Sequence, residues 1–148
     1  MTSLRILALT LTALVLVPNG AHLFELPGKI GLDRESYFIV QGIYAGWALF
    51  GVPLLAAILA NGALSVALRR RDSAAARWAL ASAVLIASSL VVFFLWIFPA
   101  NQATANWTQK PEDWEILRRQ WEYSHAVGAG LYFVALSALT LSLLVGRK

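Results

Sequence analysis

The sequence predicts an all-α integral membrane protein, a single up-down bundle of four helices over residues 1–148 with both termini in the cytoplasm. The first observation is composition, because 59% of the residues are hydrophobic and only 14% are charged, whereas soluble domains carry about 25% charged residues. The second is the length of the apolar runs, since a helix needs about 20 residues to cross the hydrocarbon core of a bilayer. The third is the uneven distribution of basic residues among the loops.

Four apolar runs are long enough to cross a bilayer, and they are continuous rather than alternating, which favours helices over barrel strands. The predicted helices cover approximately residues 4–24, 37–59, 78–98 and 111–145. In the first helix Pro18 predicts a kink before the polar end, because proline removes a backbone donor. The next connection contains Pro27 and Gly28, which predict a turn between residues 26 and 36.

The second helix contains Gly42 and Gly46, a GxxxG pattern that predicts close helix packing and a homo-oligomer through this face. The third helix ends at Pro99. The fourth begins at Pro111, followed by acids suited to the positive end of a helix dipole. It is longer than a bilayer requires, so its first turns should project beyond the lipid, with Glu115–Arg119 and Arg118–Glu122 as i,i+4 pairs on that projection.

Basic residues concentrate at the two ends of the chain and in the middle loop, where seven of them face the single acid Asp72. They are Arg5, Arg69, Arg70, Arg71, Arg77, Arg147 and Lys148. The positive-inside rule places these segments in the cytoplasm and the other two loops outside, in a bacterial inner membrane. The pI near 9.9 is therefore a topology signal. We expect lipid and a lipophilic small molecule as partners, and no nucleic acid.

The two histidines of the chain lie in mirrored tetrads. His22 precedes Glu25 by three positions at the end of the first apolar segment. Glu122 precedes His125 by three positions at the start of the last apolar segment. Three positions are about one helical turn, so each pair shares a helix face. If these helices are antiparallel neighbours, both histidines lie at one depth and both glutamates at another, nearer the water.

Three interpretations of the tetrads stay open. His22, Glu25, Glu122 and His125 could bind a transition metal (Fe, Cu, Mn or Zn), because bundle metal proteins use Glu-x-x-His motifs on facing helices. A bis-histidine haem is less favoured. The histidines could instead act as acid–base groups without any cofactor, or each His–Glu pair could be a structural clasp. No cysteine is present, which excludes thiolate sites and disulfides.

Polar and aromatic side chains near the predicted outer face are candidate substrate contacts. Asn101 would orient a substrate or an oxyanion, and Arg118 would pair with Glu122. The predicted substrate-binding residues are Gln41, Tyr44, Trp107, Trp121 and Arg118. Tryptophans at this level are typical of the interfacial aromatic belt, and they could also line a pocket for a flat apolar ligand.

The segments Phe98-Pro99-Ala100-Asn101, Asn106-Trp107 and Trp114 to His125 resemble the anthrone-oxygenase-like family of small four-helix membrane proteins, most of which have no assigned function. The stretch from Gly20 to Pro27 resembles a bacterial subgroup of that family. The resemblance implies oxidation of polycyclic anthrones to anthraquinones without an obvious cofactor, with Asn101, Trp121 and His125 as the family-type residues. Family members often carry arginine three residues after that histidine, where this chain has Gly128.

The sequence therefore predicts an integral-membrane oxidoreductase or oxygenase acting on a lipophilic, aromatic substrate, with catalytic residues His22, Asn101 and His125. The alternative is a non-catalytic membrane protein that binds lipid, quinone or a partner subunit. A close approach of His22 and His125 would favour a shared site, and histidines facing lipid would favour the structural interpretation.

Overall fold

The structure, a computed structural model, describes residues 1–145 and is all-helical, with no strand in that range. The α-helices are α1 (Thr2–Lys29), α2 (Arg34–Gln41), α3 (Gly51–Leu68), α4 (Ser73–Val92), α5 (Phe98–Ala103) and α6 (Trp114–Val145). Aspartate side chains accept a backbone N–H at two helix starts, Asp33 from Ser36 and Asp72 from Ala75. These caps satisfy donors that have no partner within the helix.

Four helical segments are long and apolar enough to cross a membrane: Thr2–Lys29, Trp47–Leu68, Ser73–Ala103 and Trp114–Val145. Their lengths of 28, 22, 31 and 32 residues exceed the roughly 20 that a bilayer requires. The expectation of four membrane-length helices is confirmed. The fourth begins at Trp114 rather than Pro111, after a turn.

The second segment is the main departure from the predicted boundaries. A single helix over 37–59 was wrong, because α2 ends at Gln41 and α3 begins only at Gly51. Two short 3-10 turns and a left-handed Gly46 (φ 85°) separate them, a conformation that glycine adopts at little cost. Gly42 and Gly46 therefore do not share a helical face, so the GxxxG pattern offers no regular helix-packing surface for a homo-oligomer.

Two prolines expected to end helices lie inside helical segments. Pro27 is within α1, which continues to Lys29 instead of ending near residue 24. Pro99 follows a π-helical turn over Phe93–Ile97 that carries the third span on to Ala103. A π turn changes the backbone pairing next to a proline, which has no N–H to donate. Here the carbonyl of Trp96 accepts a hydrogen bond of 2.7 Å from the Gln120 side chain of α6.

The long helices pack in a closed ring, in which α1 and α4 each contact both α3 and α6. Buried apolar residues form three clusters along this ring. The alanine cluster comprises Ala8, Ala60, Leu64, Leu68, Ala75, Ala76, Ala79 and Leu139. The middle cluster comprises Val15, Ala57, Ile86, Tyr132 and Ala135. The aromatic cluster comprises Tyr37, Phe38, Ile97, Ala100, Trp107 and Trp121.

Candidate functional site

The two histidines are in contact at the end of the bundle that carries the aromatic cluster. The ring centroids of His22 on α1 and His125 on α6 are 4.2 Å apart. His22 is buried, with 5% of its surface exposed. Its ring also packs against Trp121 at 4.9 Å, Tyr44 at 4.4 Å and Trp47 at 5.3 Å. The predicted meeting of the histidines is confirmed, and Trp47 is a contact that the sequence did not indicate.

The hydrogen bond of His125 defines its tautomer. Its Nδ1 lies 2.9 Å from the backbone carbonyl oxygen of Trp121, an atom that can only accept. Nδ1 therefore carries the hydrogen, and Nε2 of the neutral ring keeps its lone pair. The Trp121 ring lies 4.0 Å from the His125 ring and restricts its rotation. His125 is thus held with a basic nitrogen available.

The mirrored tetrads predicted that both glutamates lie nearer the water than the histidines, and this prediction is wrong for Glu122. Glu122 is completely buried, and its Oε1 lies 2.9 Å from Lys29 Nζ and accepts a 3.0 Å hydrogen bond from the Tyr37 hydroxyl. Glu25 instead accepts a hydrogen bond from the Tyr44 hydroxyl. Each carboxylate therefore has partners other than the histidine one turn away, and His125 bonds a backbone carbonyl, so no direct His–Glu hydrogen bond forms within residues 1–145.

Lys29 is the central cation of this network. Its ammonium donates to Glu122 and to the Tyr44 hydroxyl at 2.7 Å, and it lies 4.8 Å from the ring centre of Trp121. Sequence reasoning placed Lys29 in a loop because Pro27-Gly28 is typical of a turn. The spacing of Glu25 and Lys29, one helical turn apart, was the available signal that the helix continues.

Tyr37 extends the network into α2 and was also missed as a site residue. Its buried hydroxyl donates to Glu122 and accepts a 2.6 Å hydrogen bond from Gln41 Nε2. Burial raises the pKa of Tyr37, and the neighbouring Glu122 raises it further. Burial likewise raises the pKa of Tyr44, together with its hydrogen bond to Glu25. Both phenols are therefore neutral donors at physiological pH.

The four proposed metal ligands do not form a metal centre. Among residues 1–145 no group of three histidine, cysteine, aspartate or glutamate side chains is placed to hold a metal ion. Both glutamates bind side chains other than histidine: Lys29 binds one oxygen of Glu122, and Tyr44 binds one oxygen of Glu25. The histidines alone supply two ligands, fewer than the three or four of ordinary protein metal sites. The metal prediction for His22, Glu25, Glu122 and His125 is not supported.

Asn101 orients the indoles rather than facing the histidines with a free oxygen. Its Oδ1 accepts hydrogen bonds from Trp121 Nε1 at 2.9 Å and from Trp107 Nε1 at 3.1 Å. Both tryptophans are buried in the aromatic cluster. The backbone that delivers Trp107 is left-handed over three successive residues, 105–107, with φ between 47° and 65°. Such strained backbone persists only where its surroundings hold it, often at functional sites.

Arg118 does not pair with Glu122. Its guanidinium donates to the carbonyl oxygen of Leu32 at 2.6 Å and stacks on Trp114, 4.6 Å from the ring centre. Lys29 already holds Glu122, and the loop carbonyl accepts Arg118 instead. The expected surface pair Glu115–Arg119 is present at 3.5 Å.

Five buried polar atoms at this end of the bundle have no hydrogen-bond partner among residues 1–145. They are His22 Nδ1, Gln41 Oε1, Glu122 Oε2, Arg34 Nε and Arg118 Nε. Gln41 and Glu122 both bond the Tyr37 hydroxyl, so these two residues belong to one network. An unsatisfied buried polar atom is unfavourable by about 1–3 kcal/mol. The oxygens of Gln41 and Glu122 therefore lack donors, which a ligand carrying O–H or N–H groups would supply.

A surface groove lies on the opposite face of α6 from the histidines. It has a volume of about 780 Å³ and is lined chiefly by apolar side chains such as Trp96, Ile116 and Val127. Its residues belong to the outer surface of the bundle, so we do not assign it to the histidine site.

The fold and this site define a helical protein with membrane-length helices and a pair of contacting histidines beside a lysine–glutamate–tyrosine network. Comparison with protein-family models, with curated proteins and with solved structures finds no match. The functional argument therefore depends on the geometry of the chain itself.

Proposed function

We propose that this chain is an integral-membrane oxygenase that deprotonates a lipophilic aromatic substrate with its histidine pair and directs the product of that step to O₂. The observation that carries the proposal is the contact of the buried His22 with the half-buried His125, 4.2 Å between ring centroids, with His125 held so that Nε2 is basic. A general base needs a defined tautomer within reach of the proton that it removes. Resemblance to the anthrone-oxygenase-like family supports the same chemistry.

The reaction is balanced with O₂ as the oxidant. A ring CH₂ group that is conjugated with a carbonyl through the flanking aromatic rings, as in anthrone, loses a proton to His125, and the carbanion adds O₂. The peroxide anion takes the proton back from the imidazolium, and loss of water leaves a ketone. One oxygen atom enters the substrate and the other leaves as water. His22, which is buried, would share the proton.

The unpartnered acceptors give the substrate its orientation in this proposal. Gln41 Oε1 and Glu122 Oε2 would accept hydrogen bonds from hydroxyl groups of the substrate, since buried acceptors without donors are unfavourable. Tyr44 and Trp47 would flank the aromatic ring, because both already pack on His22. Trp107 and Arg118 would not contact the substrate themselves. Trp107 would act through its hydrogen bond to Asn101, and Arg118 through its stacking on Trp114. No resident metal is required.

We further propose an up-down bundle with both termini in the cytoplasm of a bacterial cell and the histidines near the outer surface of its plasma membrane. The alanine cluster supports the helix directions, because it joins the start of α1, the end of α3, the start of α4 and the end of α6. The arginine-rich loop after α3 supports the sidedness.

The test is oxygen consumption by the purified protein in lipid nanodiscs with anthrone as the probe. We expect consumption above the autoxidation of protein-free nanodiscs and incorporation of ¹⁸O from ¹⁸O₂ into anthraquinone. His125→Ala should abolish both, and His22→Ala should reduce them. Ser88→Ala, on the surface of α4, is the matched control and should leave the rate unchanged. A wild-type rate equal to the blank would reject the oxygenase proposal.

The second candidate is a non-catalytic quinone-binding or accessory protein. The packing of Tyr44, Trp47 and Trp121 around His22 favours it, because flat rings bind well against such surfaces. In the same nanodiscs, quenching of tryptophan fluorescence by anthraquinone without oxygen consumption would support this alternative. Quenching that persists unchanged in His22→Ala would argue against binding at this site.

A further inference from the structure

A second polar site lies inside the bundle, apart from the histidines. Thr12 on α1, Asn61 on α3 and Ser82 on α4 are all completely buried. Each lies about one helical turn from a member of the alanine cluster on one side and from a member of the middle cluster on the other. The three residues therefore form one polar layer, defined here by Thr12, Asn61 and Ser82, at the junction of the two apolar clusters.

The layer is near the middle of the membrane-length helices. Thr12 is ten residues beyond the start of α1, which corresponds to about 15 Å of helix at 1.5 Å per residue. Half of a 30 Å hydrocarbon core is about the same distance. Neither bulk water nor lipid headgroups reach this depth, so the polar atoms of the layer must find partners within the bundle.

Part of the layer is satisfied within the protein. Asn61 Nδ2 donates to Thr12 Oγ1 at 2.9 Å and to the carbonyl oxygen of Ala57 at 2.8 Å. Both hydrogens of the amide are thereby used, and their partners fix which end of the amide is the oxygen. Asn61 Oδ1, the remaining acceptor, has no partner among residues 1–145.

The hydroxyl of Ser82 is also unpartnered in the described part of the chain. Some serines of the long helices donate to a carbonyl one turn earlier, as Ser88 does to Val84 and Ser137 does to Phe133. Others donate to a carbonyl of a neighbouring helix, as Ser142 does to Ala75. Ser82 has the first option, at Trp78, and does not use it. Its side chain is instead buried among the residues between the clusters, which indicates a partner there.

We propose that the polar layer binds one internal water molecule, which donates to Asn61 Oδ1 and bonds the hydroxyl of Ser82. The groups of the layer are neutral, and the missing partners are one donor for an amide oxygen and one partner for a hydroxyl. Water supplies both from a single small molecule, as buried waters in proteins commonly do. The site joins α3 to α4, and through Thr12 to α1. It does not depend on the proposed oxygenase function.

The experiment is solid-state NMR of protein carrying ¹⁵N-asparagine in lipid nanodiscs. Transfer of magnetisation from water to the side-chain amide of Asn61 is measured, and the signal is assigned by its disappearance in Asn61→Leu. We expect transfer in the wild type and its loss in Ser82→Val, where one methyl group replaces the hydroxyl and the second takes the space of the water. Ser88→Val, a serine on the same helix that bonds its own backbone, is the matched control and should retain the transfer.

Two results would overturn the water site: no transfer to Asn61 in the wild type, or transfer of the same strength in Ser82→Val. Circular dichroism checks that the variants keep their helical content. If Ser82→Val does not fold, Ser82→Ala removes the hydroxyl without added volume, and weaker transfer than in Ser88→Ala is then expected. Equal transfer in those two alanine variants would reject the proposal.

Discussion

The two ends of the bundle are held together in different ways. The end with the alanine cluster packs small side chains from all four long helices, and Leu64, Leu139 and most of its alanines are almost fully buried. The end with the aromatic cluster uses large rings together with a buried lysine, a buried glutamate and two histidines. Small side chains allow close helix approach in membranes, whereas rings and charges keep helices further apart and leave polar atoms to satisfy.

The alanine cluster contributes packing, whereas the histidine end carries the polar groups of the candidate site. The side chains of the alanine cluster are all apolar, so they stabilise the bundle by van der Waals contacts between closely fitting surfaces. Polar atoms buried at the histidine end need hydrogen-bond partners, and five of them have none within residues 1–145. Buried polar atoms without hydrogen-bond partners favour the binding of a ligand at this end of the bundle. Variants at the two ends should therefore fail for different reasons.

Lys29→Met should produce the largest change, because it leaves Glu122 buried without its cation. Breaking a buried pair from one side lowers the free energy of unfolding by about 3–5 kcal/mol. The measurement is unfolding in mixed micelles followed by circular dichroism. Lys110→Met is the matched control, since Lys110 pairs with the exposed Glu35 and such surface pairs contribute about 0–1 kcal/mol.

The double variant Lys29→Met with Glu122→Leu sharpens this test. Removing both charges should restore much of the stability, because apolar residues of similar volume often replace a buried pair without loss. Equal effects of Lys29→Met and Lys110→Met would show that the network does not hold this end together.

Leu64→Ala tests the alanine cluster and should have the next largest effect. Leu64 is completely buried, and its truncation leaves a cavity that lowers the free energy of unfolding by about 2 kcal/mol or more. Leu59→Ala is the control on the same helix, since Leu59 is 72% exposed and faces outward. The same unfolding experiment should show little change there. A large loss at Leu59 would indicate that this surface is covered.

Gly128→Ala should have the smallest effect and tests the close approach of α1 to α6 between the two ends. A β-carbon at Gly128 would lie 3.2 Å from Asn19 Oδ1, whereas one at Gly130 meets nothing within 4 Å. Replacing a helical glycine by alanine gains up to about 1 kcal/mol. We expect that gain in Gly130→Ala and a smaller gain, or a loss, in Gly128→Ala. Equal melting temperatures of the two variants would contradict the close approach.

Several features of the site followed from local patterns. Two His–Glu pairs at helical spacing predicted that the histidines share a depth if α1 and α6 are neighbours, and the 4.2 Å contact agrees. The pattern did not predict the fate of the glutamates. The partners of a buried side chain depend on every group that the fold brings within hydrogen-bond distance. Lys29 and Tyr37 reach Glu122 from other elements.

The errors at Pro27 and at Gly42–Gly46 have opposite physical causes. Pro27 is typical of a turn, yet tertiary packing keeps α1 helical through it and so brings Lys29 into the site. The Gly42–Gly46 segment was assigned to a helix, yet Gly46 adopts a left-handed backbone that places Tyr44 and Trp47 against His22. Local propensity is weak compared with burial of large rings and charges.

The sequence by itself determined four membrane-length apolar helices and the common level of the two histidines, because hydropathy and helical periodicity are local properties of the chain. The tertiary structure alone decided which side chain pairs with which. In the folded chain Glu122 pairs with Lys29, Arg118 donates to a loop carbonyl, and Asn101 accepts hydrogen bonds from two indoles. Polar atoms of His22, Gln41 and Glu122 have no partner within residues 1–145. Those pairings depend on distances between elements far apart in sequence, which no local pattern records.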